Sequence, residues 1–321
     1  MRTLRILAGA VAAALAGCGG GSSDSSMTKA VPFTSWSAVQ PSTQVKAQGL
    51  SQEASLTFNT LTGDITAVGA STSVDTSDSN ILYTFDANRD LVGIQVTTPD
   101  TLLGWSNQTL GGGTVACSGN TCTGFNATNN ARFLGYDPYA AATQWNYQSF
   151  GVWSFAGASG IGTFGAMTVG SQTPVGALPV SGSATYTGFA AGYYVDSGGK
   201  LFSTNAGMTA NVAFNTRSIA FSTTNPTLNP LNGGIVPVVD LSLSGTLTYN
   251  AGSTRFSGTV TSPNYLATGT PVLSGTATGR FYGPGGQEIG GVYTLRPSAG
   301  VRESMIGGFG GKCASGVGAC P

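Results

Sequence analysis

From Val239 to Tyr249 the side chains change character at every second position. Val239, Leu241, Leu243, Leu247 and Tyr249 fall on one face, and Asp240, Ser242, Ser244, Thr246 and Thr248 on the other. A period of two belongs to a half-buried β-strand, because in a helix the apolar residues return every three or four positions. After the turn Asn250-Ala251-Gly252 the alternation resumes at Phe256, Gly258 and Val260, which predicts a hairpin. Val212 with Phe214, then Ile219 with Phe221, predict another. Leu273 to Gly283 alternates again, with Gly275, Gly279 and Gly283 on the face of Leu273, Ala277 and Phe281. Glycines repeated on one face mark bends or close backbone approach. With Ser181 to Gly188, Gln287 to Leu295 and Glu303 to Gly310, about eight strands lie between Pro179 and Lys312, enough to close an antiparallel barrel that its own side chains fill.

The preceding stretch, residues 41–178, has strands of its own and reads as a separate antiparallel sheet domain. Ser55 to Phe58 meets a turn at Thr62-Gly63-Asp64, and Ile81 to Phe85 turns through Asp86-Ala87-Asn88-Arg89-Asp90 into Leu91 to Val96. Thr101 to Tyr147 lacks clean alternation and predicts long loops, the usual carriers of binding residues. No helix is predicted beyond one turn over Tyr139 to Trp145. The fold class is therefore all-β: a sheet domain over 41–178, an eight-stranded barrel over 179–312 and a tail over 313–321.

The N-terminus is of another kind. Arg2 and Arg5 precede an apolar run from Ile6 to Leu15, the layout of a secretory signal peptide over residues 1–17. That run is about half of what a membrane-spanning helix needs. Leu15-Ala16-Gly17-Cys18 resembles the lipobox of bacterial lipoproteins, which makes Cys18 the lipid-attachment residue and the start of the mature chain. Residues 18–40, opening on three glycines and a serine-rich run, form a flexible tether. Cys117, Cys122, Cys313 and Cys320 remain, an even number for an oxidising compartment. Closeness in sequence favours Cys117 with Cys122 and Cys313 with Cys320 among the three pairings that four cysteines allow.

Composition removes whole classes of function. There is no histidine, which excludes Ser-His-Asp triads, Cys-His pairs and histidine-bound zinc. No enzyme activity, no metal and no cofactor are expected. Thirteen basic residues against thirteen acidic ones leave no electrostatic footprint for nucleic acid. Asp86 to Asp90 resembles the start of a calcium loop but lacks the glycine and glutamate such loops need further on, and Asp and Asn there suit a turn. The candidate ligand-binding residues are aromatics of the irregular segment, Trp105, Tyr136, Tyr139 and Trp145, which could equally pack one domain against the other. The loops 225–237 and 263–271 join them as a candidate binding face.

Near the C-terminus the chain reads Gly279-Arg280-Phe281-Tyr282-Gly283-Pro284, then Glu288-Ile289-Gly290-Gly291, then Phe309-Gly310-Gly311-Lys312. These blocks, in this order, resemble the barrel signature of the transferrin-binding protein B-like family. Pro179 to Gly188 is similar to that barrel's opening strand, and Phe150 to Trp153 to the strand before it. The resemblance implies a handle domain followed by the barrel, on a lipoprotein held in the outer membrane and exposed at the cell surface. In that setting the signature residues have structural roles: the glycines in turns and strand crossings, Phe281 and Phe309 inside the barrel, and Glu288 accepting hydrogen bonds from a neighbouring turn.

Transferrin binders carry two handle-barrel lobes with charged cap loops, whereas this chain has one lobe. The partner classes implied are a host or secreted protein, a haem-containing protein among them, or a solute, with membrane contact through the lipid. A structural or assembly lipoprotein of the envelope is the alternative. A membrane-spanning barrel is disfavoured by the lipobox and by the absence of aromatic girdles.

Overall fold

The computed structural model describes residues 30–75, 78–107, 113–231, 235–236, 241–262, 272–297, 302–318 and 320. The signal peptide, Cys18, the tether as far as residue 29, and the loop 263–271 lie outside the described residues.

The first half is an eleven-stranded sheet. Its strands are β1 (Val31–Pro32), β2 (Gln44–Phe58), β3 (Ile65–Val74), β4 (Asn80–Phe85), β5 (Leu91–Thr97), β6 (Leu102–Ser106), β7 (Thr114–Ser118), β8 (Thr121–Asn126), β9 (Ala131–Tyr136), β10 (Gln148–Ala156) and β11 (Ile161–Gly170). The order is β6-β5-β4-β2-β11-β10-β9-β8-β7, with β1 and β3 also paired to β2. All pairings are antiparallel except the short parallel bridge of β1 to β2. The second half is a closed antiparallel barrel. It is built from β12 (Ser183–Val195), β13 (Leu201–Ala213), β14 (Ser218–Pro230), β15 (Ser244–Tyr249), β16 (Arg255–Ser262), β17 (Leu273–Tyr282), β18 (Glu288–Pro297) and β19 (Ser304–Gly318). Strand β19 pairs back to β12 and leaves no free edge.

Two sequence expectations are corrected. The segment Thr101 to Tyr147 is not mainly loop, because β6 to β9 lie inside it and, among the described residues, its long irregular stretch narrows to 137–147. These strands are five or six residues long, too short for alternation to register. The strand read from Ser55 to Phe58 is the end of the 15-residue β2. Its centre, Leu50 to Ala54, is buried at every position, so the period-two signal vanishes as it does in any strand covered on both faces.

Three apolar clusters organise the molecule. The barrel interior holds Tyr186, Phe221, Leu247, Phe256, Phe281, Tyr293 and Phe309. The outer face of the sheet closes over Trp36, Tyr83, Ile94, Trp105, Phe133 and Trp153. The third cluster lies between sheet and barrel, where Leu50, Phe150, Val152, Phe164 and Ala166 meet Ala191, Tyr193, Val292 and Ile306 on the barrel's outside. Polar ties flank it: Asp75 bonds Arg255 at 2.8 Å and also Arg280, and Arg296 donates to the carbonyls of Val68 and Gly69.

The barrel's two ends differ. Turns 214–217, 250–254 and 283–287 close one end tightly, whereas at the other end only 196–200 is a tight turn and the connections 231–243, 263–272 and 298–303 are longer. The chain enters the sheet near the tight-turn end, since β1 pairs with the start of β2 and the Trp36 backbone N–H donates to the Asn146 carbonyl at 2.8 Å.

Candidate binding surface

At the long-loop end, the tip of the sheet and the rim of the barrel are joined. The Asn59 side chain accepts the Leu61 N–H at 2.9 Å, and Gly63, with φ at 74°, returns the chain into β3. This turn leaves Leu61 94% exposed. Next to it, the Phe58 N–H donates to Gly160 at 2.9 Å, which sets the β10–β11 turn and the exposed Ile161 beside the first turn. The barrel side is tied in by Ile65 N–H to Gly199 O at 2.8 Å and by an ion pair of Lys200 with Asp64 at 2.5 Å. The Lys200 ammonium, with help from the Thr62 hydroxyl, holds the Asp64 carboxyl below the usual carboxylate range. Between the turns runs a groove of about 470 Å³ floored by Leu56, Phe58, Phe155, Leu201 and Leu231. Ile235, a few residues beyond Leu231, is 92% exposed.

The signature residues sit elsewhere and hold the two halves together. Glu288, buried at the start of β18, accepts the backbone N–H groups of Asn146, Tyr147 and Gln148 at 2.6, 2.9 and 3.0 Å. Burial pushes its carboxyl up to about 7 against the pull of those donors and of Lys312. Gly290, Gly308 and Gly310 face the sheet. A Cβ on them would stand 2.4 Å from Thr168 Oγ1, 2.8 Å from Phe150 Cδ2 and 2.5 Å from Gln148 Nε2 respectively. Gly279 and Gly291 face inward, where the rings of Phe256 and Phe309 fill the space a side chain would take. Phe281 and Phe309 are fully buried in the barrel interior. Tyr282 is buried beside Thr168, its hydroxyl 3.2 Å from the Thr168 hydroxyl. Gly283, with φ at 87°, opens the turn before Pro284. Gly311 lies against Met208.

Residues 178–313 match the family described as the C-lobe and N-lobe β-barrels of transferrin-binding protein B. The barrel is therefore similar to those of transferrin-binding protein B. Solved structures similar to the chain include a single-site mutant of transferrin binding protein B from Haemophilus parasuis Hp5, 10% identical, covering 86% of this chain and 79% of that one, with a TM-score of 0.45. The isotype 1 protein from serogroup B Neisseria meningitidis is 13% identical, with coverages of 86% and 78% and a TM-score of 0.36. A protein described as a surface lipoprotein is 10% identical, with coverages of 82% and 98% and a TM-score of 0.40. No curated protein matches the chain.

In this transferrin-binding protein B-like chain, three of the four candidate aromatics are packed. Trp105 is buried in the outer sheet core, donating its indole N–H to Ala131 O at 3.0 Å. Trp145 and Tyr136 fill the seam between sheet and barrel, where the Tyr136 ring stacks on Phe189 of β12 at 4.5 Å. Tyr139 alone is exposed, at 45%, with its hydroxyl donating to Trp36 O at 3.0 Å. Of the two loops read as a binding face, 225–237 is loop only past Pro230, because residues 225–230 are the end of strand β14, with Leu231 following into the groove; 263–271 lies outside the described residues. Sequence reasoning did not find Leu61 or Ile161, although a large apolar residue set among turn residues was a usable signal.

The cysteines form the two local bridges, Cys117 with Cys122 across β7 and β8, and Cys313 with Cys320. Cys117, Cys122 and Asp137 cluster closely enough to suggest a metal site, but sulfurs joined to each other offer no thiolate. Asp86 accepts the N–H groups of Asn88 and Asp90 at 2.8 and 2.9 Å, which gives its carboxylate a turn-forming role.

Proposed function

We propose that this chain is a lipid-anchored outer-membrane protein, exposed at the cell surface, that binds another protein through its long-loop end and catalyses nothing. The observation that carries this reading is the apolar rim. Leu61 and Ile161 are exposed in the two turns that border a groove shared by sheet and barrel, and Ile235 is exposed in the connection that follows Leu231 of that groove; large apolar side chains in the open favour a protein interface. Orientation supports it. An anchor at Cys18 precedes β1, which pairs with the start of β2, whereas the rim lies past Phe58 at the far end of that strand. At roughly 3.3 Å per residue the two ends of β2 stand about 46 Å apart along the strand, so the binding end points away from the bilayer.

The first partners to test are transferrin, which the similar structures are named for binding, and haem-containing proteins. The chain from residue 27 onward, which contains every described residue, is immobilised and exposed to each. Saturable retention that is lost in Leu61→Asp and Ile235→Asp supports the reading. Retention of nothing by folded protein returns the chain to an envelope-assembly role. Protease digestion of whole cells, with Cys18→Ser as the unanchored control, tests the location separately.

A further inference from the structure

The outer face of the sheet, opposite the barrel, carries a half-open cavity of about 360 Å³ that is separate from the rim. Its lining includes Trp36, Tyr83, Phe85, Ile94, Phe133 and Tyr139. We infer that this cavity is a binding site for a neutral, planar aromatic molecule carrying one hydrogen-bond acceptor. Three features of the lining lead there.

The volume falls within the range of about 300–1000 Å³ typical of small-molecule sites. The walls are rings set edge to face: Trp36 meets Tyr83 at 5.1 Å and 80°, Phe85 at 6.3 Å and 68°, and Tyr139 at 6.0 Å and 72°. Rings so arranged offer both faces and edges to another ring, the preferred aromatic geometries.

The second feature is polar. Tyr83 is 4% exposed, and its hydroxyl has no hydrogen-bond partner; the Ser149 hydroxyl lies near it without reaching bonding geometry. A buried hydroxyl left without a partner costs free energy that a ligand acceptor restores. Burial also pushes the phenol's ionisation upward, so at neutral pH it is a donor.

The third feature is charge. The lining carries one cation, Arg89, and two anions, Asp90 and Asp137, around an aromatic interior. Arg89 already lies over the Tyr139 ring at 5.5 Å. No single sign dominates, which favours a neutral ligand. The disulfide of Cys117 and Cys122 in the wall removes the thiolates that a soft metal would need.

The test uses the neutral naphthyl ketone dye Prodan and the same naphthylamine without its ketone, titrated into the chain from residue 27 onward. Both dyes are expected to bind saturably at one site per chain. Tyr83→Phe, which keeps the ring and removes only a hydroxyl with no partner, is expected to weaken Prodan about tenfold, to leave the ketone-free dye unchanged and to blue-shift bound Prodan emission. Ile94→Trp, which fills the cavity, is expected to abolish both. Absence of saturable binding by the wild type overturns the inference, as does a Tyr83→Phe variant that binds Prodan as the wild type does or loses both dyes equally.

Discussion

The carboxylate of Glu288, at the first position of β18, takes the backbone N–H of Asn146 at 2.6 Å and so ties the last irregular segment of the sheet half to the barrel wall. The group has a pH signature. In the folded chain its carboxyl lies at about 7, against 4.5 in the open chain, and burial is the leading cause. The folded state therefore holds an extra proton between those values, and stability is greatest below about 4.5, falls as pH rises to about 7 and is level above it. The full difference is on the order of 3 kcal/mol. Denaturant midpoints across this window are expected to decline in the wild type and to stay level in Glu288→Gln; equal slopes in the two proteins would refute the assignment.

The glycine surface of the barrel makes a steric prediction. Phe150 occupies the space a Gly308 side chain would need, and the Gln148 amide does the same at Gly310. Gly308→Val is expected to cost about 3 kcal/mol, the upper range for overpacking. It should also uncouple sheet from barrel, giving two thermal transitions where the wild type gives one. Gln148 behaves oppositely. Both polar atoms of its buried amide lack partners, so Gln148→Met, of similar volume, is expected to leave the thermal midpoint level or raise it.

These residues also mark what could be read in the sequence. The barrel hairpins were legible because the strands bury one face only: Val212 pairs with Ile219 and Leu247 with Gly258, inside positions alternating with polar outer ones. Strand β2 was not, because barrel and outer core cover it from both sides. Glu288 was legible as an acceptor for a turn, but its donors, Asn146 to Gln148, lie more than a hundred residues away and left no local trace. The aromatics were ambiguous because a tryptophan among Asn and Gly residues suits an exposed loop and a short buried strand equally. The rim was hidden for a related reason, since Leu61 and Ile235 are far apart in sequence and share an end only once β2 and the barrel are built.

The rim residues should act on binding alone. Leu61 and Ile235 are almost wholly exposed, so Leu61→Asp and Ile235→Asp are expected to leave the thermal midpoint within about a degree of the wild type. If the rim is the interface, each should weaken partner affinity tenfold or more, about 1.4 kcal/mol. Calorimetry against whichever partner is retained measures both numbers, and unchanged affinity would move the interface elsewhere.

Trp145 and Tyr139 separate packing from presentation within one segment. Trp145 is 3% exposed and lies 5.8 Å from the Phe150 ring and 6.1 Å from the Tyr136 ring, in the seam between sheet and barrel. Trp145→Ala is expected to lose about 3–5 kcal/mol through the cavity it leaves. Tyr139 donates its hydroxyl to Trp36 O, accepts a long bond from Arg89 at 3.5 Å and presents a partly exposed ring, so Tyr139→Ala should cost about 1 kcal/mol. Denaturant unfolding of the two variants measures the difference. Equal losses would mean that Tyr139 is as deeply built into the sheet as Trp145; a small loss at both would mean that the seam repacks, and that the halves are held mainly by Glu288 and the glycine surface.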